Sequence, residues 1–236
     1  MTEPVLFLPD MMCDARVFGP QIADLSRDYA VMTAPVTHGE RVEEIASGLL
    51  DVAPMRFALA GLGMGGMVAM ELYRRAPERV TRLALMDTSP LAEPPQLAAQ
   101  RDPLVIRARS GRLRDVVERD FVPQYLVPGP HHDEIAALVV DMALGLGTEV
   151  FARQTRALQR RRDQQSTLRR INVPTVVLCG AEDVICPIKR HSFMAEMIPK
   201  AHLCIIEEAG HLPTLEQPAD VIRALRDWLS KPLLLR

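Results

Sequence analysis

The sequence is poor in the features that staple, charge or embed a chain. Its four cysteines, Cys13, Cys179, Cys186 and Cys204, lie far apart and form no C-x-x-C pair, and no histidines stand beside them at zinc-site spacing. A metal-stapled module is excluded on that ground, and reduced thiols in a cytoplasmic protein are the expected state. An excess of one charge is also missing: 28 Lys and Arg stand against 30 Asp and Glu, a net charge of −2. Without a basic field to gather phosphates, nucleic acid is not an expected partner. No apolar run approaches the roughly 18 residues of a membrane-spanning helix, and Met1-Thr2-Glu3-Pro4 carries no basic stretch leading into one. Neither a membrane span nor an export signal is expected.

What is present is a chain of 236 residues, 48% hydrophobic, which suits one ordinary globular unit able to bury roughly 70–75% of its unfolded surface. Short apolar runs at 5–8, 29–33, 56–61, 80–87, 175–180 and 202–207 read as strands, and near-continuous apolar character marks strands buried on both faces. Helical spacing separates them, as in Val68, Leu72 and the Pro77 stop, or Val221, Ile222, Leu225 and Leu229. This alternation predicts an α/β fold, a mostly parallel central sheet with helices on both faces. From Ser89 to Thr167 strand runs vanish, and Pro and Gly breaks, Pro103 among them, separate helices expected over 113–125, 133–146 and 148–162. The expected organisation is a core of 1–88 and 168–236 with a helical cap inserted at 89–167. Arg160-Arg161-Arg162 is expected to be a solvated helix end.

The segment Leu59-Ala60-Gly61-Leu62-Gly63-Met64-Gly65-Gly66 joins a strand to a helix through glycines at close spacing, which requires a tight turn. Two kinds of site use such a turn, the dinucleotide loop G-x-G-x-x-G and the nucleophile elbow G-x-S-x-G. Asp87 stands at about the distance of the dinucleotide loop's ribose-binding acid, about 20 residues on. That reading explains nothing else in the chain. The elbow requires an acid and then a histidine after later strands, and both are there: Asp183 in Gly180-Ala181-Glu182-Asp183, and His211 in Glu208-Ala209-Gly210-His211. A carboxylate so placed can hold an imidazole in one tautomer. Asp87 is the alternative acid; the other five histidines are expected on the surface or in packing.

On these motifs the chain resembles the α/β-hydrolase superfamily, in its compact branch with a helical cap, over nearly its whole length. The resemblance implies a Ser-His-Asp mechanism on carboxylic ester-type substrates, with Asp183 and His211 in the acid and base positions and no metal or organic cofactor. A small-molecule ester is the partner it implies. At the nucleophile position, however, the chain has Gly63, which bears no side chain. Two readings follow: a serine enzyme disarmed at its nucleophile, close to inert, with space for a water beside His211; or a protein that binds, or uses the Asp-His pair for non-covalent chemistry.

The resemblance also implies an oxyanion site of two backbone N–H groups. Met64, the residue after the nucleophile position, is one donor. The second comes from the loop after the first strand, where relatives carry His-Gly and this chain has Pro9-Asp10. That alignment makes Met11 the donor, with Met12 the fallback and a pocket residue. Arg101, Arg107, Arg109, Arg153 and Arg156 in the cap are candidate partners for a substrate carboxylate.

Overall fold

In the computed structural model, which describes residues 3–232, six strands form one sheet in the order β2-β1-β3-β4-β5-β6, every neighbouring pair parallel. They are β1 (Val5–Leu8), β2 (Val31–Thr33), β3 (Phe57–Leu62), β4 (Val80–Met86), β5 (Thr175–Gly180) and β6 (Ala201–Ile206). The four central strands are buried throughout, whereas the edges β2 and β6 are partly open.

Helices α1 (Gly19–Leu25), α2 (Val42–Val52) and α3 (Met64–Arg75) follow β1, β2 and β3. Between β4 and β5 lie α4 (Pro95–Arg107), α5 (Leu113–Val116), α6 (Val122–Tyr125), α7 (His132–Leu146), α8 (Thr148–Gln159) and α9 (Gln165–Leu168). After β5 and β6 come α10 (Ile188–Met197), α11 (Pro213–Glu216) and α12 (Pro218–Ser230). The 3.6-residue pattern seen in α12 buries Val221, Leu225, Trp228 and Leu229. Among the described residues no single helix is long and apolar enough to cross a membrane.

Three details between β4 and β5 differ from expectation. Pro103 sits inside α4 instead of ending it; α4 buries none of its residues, so the carbonyl that loses its partner can turn to water. The helix expected over 113–125 is broken into α5 and α6 by wider-wound turns, and just before it Gly111, at φ 84°, takes the chain out of helical geometry. Arg161 is not solvated. Its side chain is 9% exposed and its guanidinium pairs with Glu93 at 2.9 Å, next to Arg101 on the same carboxylate.

Parallel connectivity brings the carboxyl ends of the central strands to one edge, the usual place for a ligand in such a sheet. The loops carrying Asp10, Gly63, Asp87 and Asp183 all leave there, as does the loop after β6 that carries His211.

Candidate active site

Gly63 is the single residue between β3 and α3, at φ 51° and ψ −115°, a conformation costly for a residue with a side chain. Its N–H donates to the Met86 carbonyl at 2.9 Å, tying the turn to β4. Gly65 is required for a different reason: a Cβ there would lie 2.1 Å from the Leu8 carbonyl oxygen, so only glycine lets α3 pass this close to β1. Packing of helix on strand at Gly65 and the positive φ at Gly63 therefore account for these glycines without a pyrophosphate.

The space beside Gly63 is filled by protein, which corrects the expectation of a water-sized vacancy. The Asp10 carboxylate occupies it: a Cβ at position 63 would lie 1.9 Å from Asp10 Oδ1 and 2.1 Å from its Cγ. Oδ1 accepts the Met64 N–H at 2.6 Å, the group expected to serve as an oxyanion donor. Oδ2 lies 3.2 Å from His211 Nε2 and has no aligned hydrogen bond. Asp10 is only 3% exposed, so its charge is compensated here or nowhere.

On the other side of the imidazole, His211 Nδ1 meets Asp183 Oδ2 at 2.8 Å. Asp183 Oδ1 accepts the N–H groups of Ile185 and Cys186 at 2.8 and 2.9 Å, so both carboxylate oxygens are engaged. Burial opposes ionisation of Asp183, but His211 and these two donors outweigh it and hold its pKa below the usual aspartate value. Burial likewise opposes the imidazolium. The carboxylates of Asp183 and Asp10 on its two sides overcome that and raise His211 well above an ordinary histidine. Both carboxylates thus favour the doubly protonated imidazolium.

Two residues that sequence reasoning missed set the position of this imidazole. The Glu216 carboxylate accepts N–H groups from Gly210, Leu212 and Val127 at 2.9, 3.2 and 2.8 Å, fastening the histidine loop to the end of α6. Tyr125 accepts the His211 N–H on its carbonyl at 2.8 Å and lays its ring 5.2 Å from the imidazole. A glutamate five residues after a histidine is too common a pattern to have signalled this.

Asp87, the alternative acid, closes β4 fully buried with φ 44°. Burial first, and the Asp183 charge second, push its carboxyl well above the aspartate range, which favours the neutral acid here, whereas the Asp183 pKa is lowered. Its Oδ1 accepts the Gly180 N–H at 2.8 Å.

These groups open on a cavity of about 390 Å³ whose lining includes Asp10, Met11, Gly63, Met64, His211 and residues of the segment between β4 and β5. Met12 is a correction: it does not line this cavity, and its N–H is bonded to Gln154 Oε1 of α8 at 2.9 Å, which removes it as a fallback donor. Of the five arginines expected to face a substrate, Arg101 alone lines the cavity. Arg107, Arg109 and Arg156 pair with Asp120, Glu149 and Glu40, and Arg153 donates to the Thr37 carbonyl. Arg190, not anticipated, lines it and donates to Ser89 Oγ at 2.9 Å. A larger hollow of about 600 Å³ along β5, β6 and α12 contains none of the site residues.

Among the described residues one trio has metal-ligand chemistry, Asp183, Cys186 and His211, with donor atoms within 4.8 Å of one another. It suits a metal poorly: burial and nearby carboxylates keep the Cys186 thiol protonated, and Asp183 is already saturated with hydrogen bonds.

Comparison with known proteins agrees with this architecture. A model of the alpha/beta hydrolase family matches residues 12–224. The chain is 27% identical over 208 residues to a pimeloyl-[acyl-carrier protein] methyl ester esterase of Aromatoleum aromaticum, covering 80% of each protein. It is 28% identical over 238 residues to a 2-hydroxymuconate semialdehyde hydrolase of a Pseudomonas species, covering 96% of this chain and 80% of the other. Among solved structures, a thermophilic esterase from Thermogutta terrifontis superposes with a TM-score of 0.87 at 27% identity, covering 96% of this chain and 89% of that one. An enol-lactonase from Burkholderia xenovorans shares the fold at the same TM-score and 21% identity, over 98% and 92% of the two chains.

Proposed function

The chain belongs to the alpha/beta hydrolase family, and from that premise we propose that it hydrolyses small carboxylic ester-type substrates at the cavity described above, with segment 89–167 acting as its cap. The observation that carries this reading is the Asp183–His211 pair, aligned at 2.8 Å and aimed at the elbow from which Met64 N–H points. Asp183 holds the imidazole in place and balances its charge, and His211 moves the proton between water and the departing oxygen. The N–H groups of Met64 and Met11 are the expected donors to developing negative charge. Similarity to proteins named as esterases supports the choice of an ester.

The experiment is a panel of chromogenic short-chain esters read against His211→Ala and Asp183→Asn. Turnover by the unmodified chain, falling on the order of 10⁴-fold in either variant, is the expected result. Turnover indifferent to both substitutions would remove the reading.

A further inference from the structure

We propose that Asp10, from the loop after β1, is the nucleophile of this site, its carboxylate standing where the elbow of this fold would otherwise place a side chain. The inference rests on the reading of the cavity as a hydrolytic site and assigns the step that Gly63 cannot perform. Three observations carry it.

First, Asp10 and Gly63 exclude each other's alternatives. With Asp10 Oδ1 1.9 Å from the position of a Cβ, residue 63 has to be glycine for this carboxylate to reach the site, and the carboxylate takes over the volume that glycine leaves. Second, the two oxygens are distinguished. Oδ1 sits on the Met64 N–H at 2.6 Å, while Oδ2 has no aligned hydrogen bond and lies on the His211 side. An oxygen of this kind, desolvated and held only by the ion-pair contact with His211, is available to attack. Third, Asp10 is part of the cavity lining, so its carboxylate borders the space a substrate would enter.

The chemistry that suits this arrangement is attack on a small carbon electrophile with an oxygen leaving group. Asp10 Oδ2 forms a bond to the substrate carbon, the bond from that carbon to its leaving oxygen breaks, and the leaving oxygen takes the Nε2 proton of His211. The raised pKa of His211 fits that order, since a resting imidazolium is an acid, whereas a serine nucleophile would need a neutral base. Once Asp10 is esterified its charge is gone, and His211 is neutral. It then takes a proton from water, and the hydroxide adds to Asp10 Cγ. The negative charge develops on Oδ1, already seated on the Met64 N–H. Collapse breaks the bond between Cγ and Oδ2, Oδ2 leaves with the substrate carbon and takes the proton left on Asp10, the water oxygen stays in its place, and Asp10 carboxylate and His211 imidazolium are restored. The oxyanion donor thus serves the enzyme's own carboxylate.

The test follows the mass of the peptide bearing Asp10 in isotopically heavy water, with two probes, nitrophenyl acetate for an acyl carbon and nitrophenyl glycidyl ether for a saturated one. The expected result is a heavy oxygen or a covalent adduct on Asp10, absent from Asp14 in the same peptide. Asp10→Asn should keep the fold by circular dichroism while losing the mark and at least about 10³-fold in turnover. Ester turnover with an unmarked Asp10 under both probes overturns the assignment and leaves the ester reading standing. A marked Asp10 from the glycidyl ether with no ester turnover does the reverse. Faster turnover by Asp10→Asn also overturns it, because the carboxylate would then be a plug.

Discussion

The Asp10 carboxylate and the missing side chain of Gly63 occupy the same place: Oδ1 of the one lies 1.9 Å from where a Cβ of the other would be. A serine placed at position 63 alone therefore meets a carboxylate that has to leave both Met64 N–H and His211. We expect Gly63→Ser to destabilise the chain by about 1–3 kcal/mol, from the lost charge-assisted hydrogen bond and a strained φ, and to take no fluorophosphonate label. The double variant Asp10→Gly, Gly63→Ser should take the label and recover stability, with a coupling of about 0.5–3 kcal/mol between the two sites. Melting curves of these three proteins and of Asp10→Gly, with gel fluorescence after labelling, decide this; a label on Gly63→Ser alone would break the relationship.

Stability should depend on His211 with a defined sign. Its folded pKa lies above the unfolded value of about 6.5, so its contribution is full below that pH and fades as pH rises through the folded value. The lowered pKa of Asp183 makes its own contribution present above about 3.9 and lost as pH falls through the folded value. The gap in stability between the unmodified chain and His211→Gln should be about 3 kcal/mol on the plateau between these limits and shrink on both sides. A gap that widens with alkalinity would show the imidazole to be neutral.

Asp87 gives the opposite expectation for a substitution. A carboxyl held neutral by burial costs stability wherever the unfolded chain ionises, that is, above about 3.9. Asp87→Asn keeps an acceptor for Gly180 N–H and carries no ionisation cost. It should raise the melting temperature at neutral pH, by an amount that grows with pH and vanishes in acid. A lowered melting temperature at pH 8 would refute the neutral acid.

Away from the cavity, Glu71 on α3 gathers Arg74, Arg75 and Gln164, the last from the end of the segment between β4 and β5. Burial works against its charge, but these donors lower its pKa to about 2. Its contribution is present above the unfolded pKa of about 4.3 and is lost as pH falls through 2. Both arginines are 30–40% exposed, so screening limits Glu71→Gln to about 1–3 kcal/mol at pH 7. Denaturant titrations of the two proteins at pH 7 and pH 2 should differ at the first and converge at the second.

How much of this was legible in the sequence follows the range of the interactions involved. Val5–Leu8 and Thr175–Gly180 read as strands with the bounds the structure gives them, because strands buried on both faces carry their signal locally. Gly63, Met64, Asp183 and His211 were readable from motif order, and the structure brings all four together. Asp10 was readable only as a departure from His-Gly. Its direction depends on the loop turning at Met12, at φ 57°, and on β1 lying against β3, neither of which spacing reports. Glu216 and Arg161 were missed for the same reason: their partners lie in segments distant in sequence or in an irregular turn.

The most direct test is ester turnover by the unmodified chain after treatment with a serine-directed fluorophosphonate. The account predicts turnover that survives the treatment, leaves no label on the protein, and disappears in His211→Ala. A chain that is inert as it stands and hydrolyses esters only as the Asp10→Gly, Gly63→Ser double variant would contradict it.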